Sequence, residues 1–141
     1  MSLTIVECIQ GILASVTPIC VVIIAYFQLE TNKNQLKTNK HKLSLDLYNR
    51  RFAVYEKTLL YFGACYQVSI EQKDFVKATQ DFYTAYNEAY FLFGHDSKAY
   101  KALTDFHNAQ PASVKDVHVL HALMDNIKIG MEEWLNFGEI K

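Results

Sequence analysis

The chain has 141 residues, a length that suits one domain with a modest core. Its formal net charge of −1 argues against a nucleic-acid coat or an acidic tail. Three cysteines without paired spacing exclude a disulfide framework and favour reduced thiols.

An uncharged apolar run lies near the N-terminus, from Cys8 to Leu29, with Glu7 and Glu30 on its flanks. As a helix, residues 9–29 would be about 32 Å long, close to the thickness of about 30 Å of a hydrocarbon core. We therefore expect a transmembrane helix. A buried core helix is the alternative, whereas a cleaved signal peptide fits poorly because the chain starts without Lys or Arg.

The basic residues that flank this run all follow it, beginning at Lys33. The positive-inside tendency therefore predicts a single-pass protein that has its C-terminal domain in the cytoplasm and the lipid bilayer as a partner. Three regions result: an N-terminal tail and transmembrane helix over 1–29, a juxtamembrane basic stalk over 30–42, and a cytosolic α-helical domain over 43–141.

One face of the predicted span carries small or weakly polar residues, which let helices approach closely in lipid. This face contains Gly11, Ala14, Thr17 and Pro18. It predicts a homo-oligomer formed through the spans. After the span, Leu29, Leu36 and Leu43 recur every seven residues, which is typical of a helix that pairs with copies of itself. A partly ordered linker is the alternative there.

Apolar periodicity then predicts about four helices. In the first, one side carries Leu43, Leu47, Val54 and Thr58, and another carries Leu45, Phe52, Leu59 and Phe62. We therefore expect burial on more than one face.

The second predicted helix carries Phe75, Phe82 and Phe93 at helical spacing and stops at Gly94. Asp96 or Ser97 would cap a short third helix that ends before Pro111, and Ser113 with Asp116 resembles a capping box for the last one. No segment alternates like a strand. The predicted fold class is all-α, an N-terminal transmembrane helix followed by a small cytosolic helical bundle.

Signatures of catalysis are missing from the sequence: it has no G-x-S-x-G, no glycine-rich phosphate loop and no cysteine pair at zinc spacing. His118 and His121 are three residues apart and could share a ligand, but an ordinary exposed helix face is the preferred interpretation. Cys65 has no charged neighbour to lower its pKa. We expect no enzyme activity, no catalytic residue, no metal site and no cofactor.

A basic, tyrosine-containing segment follows the predicted stalk. Its candidate ligand-binding residues, for phosphate or a nucleotide, are Lys42, Tyr48, Arg50, Arg51, Tyr55 and Lys57. Arginine binds phosphate through two parallel hydrogen bonds, and tyrosine can stack on a base. Two other interpretations stay open, an ion pair of Asp46 with Arg50 and a contact with anionic lipid head groups.

The same segment carries a resemblance. It matches the pattern K-L-x-L-x-L-x-x-R-R-F-x-V-Y at Lys42, Leu43, Leu45, Leu47, Arg50, Arg51, Phe52, Val54 and Tyr55. With the preceding apolar run and "FLFG" further along, the chain resembles a widespread group of small single-span bacterial membrane proteins. Its size and layout are also similar to membrane-bound accessory effectors of type III CRISPR systems.

These resemblances imply a location in the bacterial inner membrane and a role in antiphage (antiviral) defence. A homo-oligomer would bind a cyclic oligonucleotide, cyclic oligoadenylate, on its cytoplasmic side and then perturb the membrane; duplex nucleic acid is not an expected partner. The main alternative is a non-enzymatic membrane scaffold whose helical domain docks a protein partner. A small phosphodiesterase with His118 or His121 as its base is the second.

Overall fold

A computed structural model describes residues 2–67, 70–114 and 116–135, apart from the side chains of 2–3, 5–9 and 11–15. These described residues form four α-helices, a 3₁₀ turn and no strand. The helices are α1 (Ser2–Tyr66), α2 (Gln72–Phe93), α3 (Lys98–Asn108) and α4 (Val117–Leu135), and the 3₁₀ turn is Pro111–Ser113. The predicted all-α class is therefore confirmed for this part of the chain.

The predicted N-terminal transmembrane helix is wrong. Among the described residues, no helix combines the length and the apolar character that crossing a membrane requires. The prediction relied on the absence of charge, but uncharged polar residues such as Gln10 and Thr17 are also costly in hydrocarbon. The inner-membrane location and the bilayer as a partner stay predictions.

The chain divides into two compact units, Met1–Leu43 and Ser44–Lys141. The first unit contains the first part of α1, whose side chains from Val16 to Leu43 are all exposed. The second unit contains the rest of α1 together with α2, α3 and α4, and it holds the hydrophobic core.

Aromatic rings from three helices form the centre of that core. The Tyr61 ring of α1 stacks on the Phe82 ring of α2, with a centroid distance of 4.7 Å. Phe106 of α3 presents its edge to both rings, at centroid distances of 6.2 and 5.5 Å. From α4, Ile127 and Met131 are fully buried. Burial of each large apolar side chain contributes about 1.5–3 kcal/mol, so these rings hold the helices together.

Short polar side chains begin the last two helices. The Ser97 hydroxyl accepts a hydrogen bond from the backbone N–H of Tyr100 at 3.1 Å, so Ser97, rather than Asp96, caps α3. At α4, the Asp116 carboxylate accepts one from the backbone N–H of His118 at 2.9 Å. Ser113 lies in the 3₁₀ turn and α4 begins at Val117, so Asp116 directly precedes the helix and the predicted capping box is wrong.

The predicted burial of α1 on more than one face is wrong for one of those faces. Val54 and Thr58 are buried, as expected for the side that faces the core. On the other face, Leu45, Phe52 and Leu59 are each 44% exposed, whereas Phe62 is half-buried against the core. The packing of α2, α3 and α4 covers only one side of α1, and an apolar face remains accessible.

Candidate functional site

The side chain of Arg51 contacts two other helices of the second unit. Its Nε donates a hydrogen bond to the carbonyl oxygen of Leu92, near the end of α2, at 3.1 Å. Its guanidinium carbon lies 4.3 Å from the centroid of the Trp134 ring in α4, a cation–π contact. Burial lowers the pKa of Arg51 from its usual value, although arginine stays protonated in proteins. Arg51 therefore connects α1 to α2 and α4.

Arg50 occupies a different environment. It is exposed, and because successive helix residues are about 100° apart, its side chain leaves α1 in another direction from that of Arg51. Lys57 is half-buried on α1, and Lys42 belongs to the first unit. The two arginines thus do not share one face, and phosphate binding by these four residues stays a prediction.

The two tyrosines of the predicted nucleotide site contact another aromatic ring of α1. The Tyr48 ring stacks on Phe52 with a centroid distance of 6.2 Å and an interplanar angle of 10°. Tyr55 follows Phe52 in sequence, and the centroids of these two rings are 6.4 Å apart. Both tyrosines are half-buried. They belong to an apolar face of α1, and their stacking on a base stays a prediction.

The predicted oligomer-forming face lies in the first unit. The side chains at Gly11 and Ala14 fall outside the described residues. Thr17 and Pro18 are both exposed on α1. Oligomer formation through this face stays a prediction.

The histidine pair of α4 does not converge on a metal site. The Nδ1 atom of His121 lies 2.9 Å from the carbonyl oxygen of Val117, and its ring presents an edge to Phe62 at 5.3 Å. His118 is exposed. Across the part of the chain that the structure describes, no three His, Cys, Asp or Glu side chains are grouped so as to hold a metal ion.

An open groove lies between the end of α1 and the start of α2, with a volume of about 400 Å³. Most of its surface is apolar, and its polar residues come mainly from α2. Its lining residues are Leu59, Leu60, Gly63, Ala64, Gln67, Ile70, Asp74, Lys77, Ala78 and Asp81. This volume is within the range of about 300–1,000 Å³ that is usual for binding pockets. We call it the α1–α2 groove.

Gly63 leaves the floor of the α1–α2 groove open. A Cβ atom built at Gly63 would have no atom within 4 Å, so no close approach requires a glycine there. Glycine inside a helix costs about 0.5–1 kcal/mol relative to alanine. Beside it, Leu60 is 60% exposed. The helix therefore carries a destabilising residue where a side chain would fill the groove.

The charged residues of the α1–α2 groove have an excess of negative charge. Asp74, Lys77 and Asp81 are spaced by three and four residues on α2, so they lie along one face of that helix. Among the described residues, the ion pair within 4.0 Å is His95 with Asp96, so none of the three charges is neutralised by a close partner. A ligand of this groove would meet two carboxylates and one ammonium group.

The groove was not predicted from the sequence, because Leu59 was expected to be buried. Two signals pointed to it. Gly63 stands inside the long apolar segment "LLYFGACY", where helix propensity disfavours it. Asp74, Lys77 and Asp81 share one face of a predicted helix whose opposite face is apolar.

Comparisons with known proteins do not place this chain in a family. No protein-family model, no curated protein and no solved structure matches this chain. The resemblance to small bacterial membrane proteins and to CRISPR accessory effectors stays a prediction, and the function is inferred from the geometry of the second unit.

Proposed function

We propose that this protein is a non-enzymatic scaffold whose helical unit docks a partner protein in the α1–α2 groove. The observation that carries the proposal is the open apolar floor formed by Leu60, 60% exposed, beside Gly63, which has empty space in front of it. Such a groove suits an amphipathic helix that inserts apolar side chains at three- and four-residue spacing.

The lining residues of the groove indicate which kind of partner segment would bind there. Each leucine- or phenylalanine-sized side chain that the partner buries on the floor contributes about 1.5–3 kcal/mol. Asp74 and Asp81 outnumber Lys77 at the edge, so a Lys or Arg beside the apolar residues improves the match. The partner segment is therefore a short helix with an apolar face bordered by basic residues.

The position of Arg51 also favours docking over the cyclic-oligonucleotide hypothesis. The Nε of Arg51 is already engaged by Leu92, and the guanidinium lies against Trp134. Arg50 leaves α1 in another direction, so one phosphate group would not bind both guanidinium groups at once. Antiphage signalling through these arginines stays a hypothesis that rests on the resemblance to CRISPR accessory effectors.

Site-specific photo-crosslinking tests the proposal. A photoreactive amino acid replaces Leu60 in the full chain, and the control replaces Asn87, an exposed residue of α2 outside the groove. We expect a discrete adduct at position 60 and none at 87, with the partner identified by mass spectrometry and then purified.

The glycine on the groove floor provides the matched variants. Gly63→Leu fills the groove and should weaken binding of the purified partner at least tenfold, whereas Gly63→Ala adds one methyl group and should leave most of the affinity. The proposal is wrong if both positions give the same adducts, or if Gly63→Leu binds the partner as well as Gly63→Ala does.

A further inference from the structure

A second accessible apolar face runs along α1 within the second unit. Its residues recur at alternating steps of three and four: Leu45, Tyr48, Phe52, Tyr55, Leu59 and Phe62. These are the a and d positions of a heptad repeat, counted with Leu45 as a. We call this set the aromatic seam. The core-facing residues Val54 and Tyr61 occupy the c position. The seam adjoins this side of α1, because Tyr55 and Phe62 at d positions also pack against the core, whereas the a positions are exposed.

The a positions of the seam are exposed to solvent, and its d positions, Tyr48, Tyr55 and Phe62, are half-buried. Leu45, Phe52 and Leu59, its a positions, are each 44% exposed. The Phe52 ring lies between those of Tyr48 and Tyr55, at centroid distances of 6.2 and 6.4 Å. A contiguous row of large apolar side chains in water is typical of a protein interface. Because the Phe52 ring already contacts both tyrosine rings, we expect docking to restrict few additional side-chain rotamers.

Two charged residues beside the seam indicate what covers it. In this heptad, Arg51 is at g and Glu56 is at e, five residues later. In a parallel coiled coil, a g residue of one helix faces the e residue five positions later on the other. An antiparallel copy would not use this spacing. A parallel second copy matches Arg51 with Glu56 twice, once on each side of the symmetry axis.

The surroundings of both residues permit this pairing. The hydrogen bond from Arg51 to Leu92 uses Nε, and the Trp134 contact fixes the plane of the guanidinium, so the terminal nitrogens remain for another acceptor. Glu56 is exposed and takes no part in an ion pair among the described residues. A carboxylate that accepts from a guanidinium already held in place forms a charge-assisted hydrogen bond at low entropic cost.

We propose that a second copy of this chain docks on the aromatic seam, giving a parallel, in-register dimer in which Arg51 of each copy pairs with Glu56 of the other. The interface lies on α1 and borders the α1–α2 groove at Leu59, which belongs to both surfaces, whereas Leu60 and Gly63 on the groove floor lie outside the heptad a and d positions.

Sedimentation of the full chain tests this dimer. We expect a dimer for the unmodified protein and, because two copies each place a charge in an apolar contact, a dissociation constant raised at least about a hundredfold by Phe52→Glu. Arg50→Glu, at the exposed f position, is the control and should stay dimeric. Glu56→Gln should weaken the dimer less than Phe52→Glu does. Far-UV circular dichroism confirms that each variant is helical.

Cysteine crosslinking provides the second measurement, since it needs no charged residue in the seam. In a background in which Cys8, Cys20 and Cys65 are all replaced by Ser, Leu45→Cys at position a should form an intermolecular disulfide with its own copy on mild oxidation, and Asp46→Cys at position b should not. A monomeric wild-type protein at 100 µM would overturn the proposal. A dimer that survives Phe52→Glu, or equal crosslinking at 45 and 46, would overturn it too.

Discussion

The guanidinium carbon of Arg51 lies 4.3 Å from the centre of the Trp134 ring, across α1 and α4. The same side chain donates from Nε to Leu92, forty-one residues along the chain. Arg50, its neighbour in sequence, is exposed. Two adjacent arginines therefore have different physical roles, one in holding three helices together and one at the surface.

Replacing Arg51 should cost more stability than replacing Arg50. Arg51→Ala removes a hydrogen bond to a backbone carbonyl and a cation–π contact, so we expect the free energy of unfolding to fall by about 1–3 kcal/mol. Arg50→Ala should change it by no more than about 0.5 kcal/mol. Urea unfolding followed by circular dichroism measures both. Equal effects of the two variants would show that the contacts of Arg51 do not stabilise the fold.

Alanine substitutions at two glycines should change the stability of the protein in opposite directions. At Gly63 a new Cβ atom has open space, so Gly63→Ala should stabilise by about 0.5–1 kcal/mol through helix propensity alone. At Gly130 it would meet the carbonyl oxygen of Lys98 at 2.9 Å and the backbone N of Ala99 at 3.0 Å. Gly130→Ala should destabilise by about 1–3 kcal/mol because α4 and α3 must separate. Melting temperatures that shift in the same direction would contradict this.

Alkaline pH should destabilise the second unit through Tyr61. Burial, followed by the effects of Cys65 and Tyr83, raises the pKa of Tyr61 above its usual value of 10.0. Above about pH 10 the phenol ionises in the unfolded chain before it does so in the folded one. The unfolded state then binds fewer protons, so the free energy of unfolding falls as pH rises.

The slope that one such group contributes is at most about 1.4 kcal/mol per pH unit. Burial also raises the pKa of Cys65 from 9.0, against a smaller opposing effect of its hydrogen bond with Tyr61, so the decline should begin near pH 9. Tyr61→Phe keeps the ring and should reduce the slope above pH 10. Tyr90→Phe, at an exposed tyrosine of α2, serves as control. An unchanged slope in Tyr61→Phe would exclude this mechanism.

Binding of a cyclic oligonucleotide separates the scaffold from the signalling hypothesis. The scaffold proposal predicts that the full chain retains no radiolabelled cyclic tetra-adenylate at micromolar concentration. If it does retain the label, Arg50→Ala and Lys57→Ala are the informative variants, because both residues lie outside the buried core. Retention that Arg50→Ala abolishes would favour the anion site over the scaffold.

Local sequence patterns determined most of the secondary structure. Phe82 and Phe93 at helical spacing predicted α2, and Gly94, which has a φ of 80°, ends it as expected. Ser97 as a cap and the apolar period of α4 were also correct. Each of these signals depends on residues within a few positions of one another, so no tertiary information is needed to read them.

The functional surfaces depended on contacts between distant parts of the chain. The sequence identified Arg51 as a candidate phosphate ligand, which stays a prediction, but nothing local reveals that Leu92 and Trp134 lie against it. Leu59 was expected in the core for a similar reason: apolar spacing gives the faces of a helix but does not say which of them its neighbours cover. Periodicity is a property of one helix, whereas the groove and the seam exist only where the packing of α2, α3 and α4 leaves α1 uncovered.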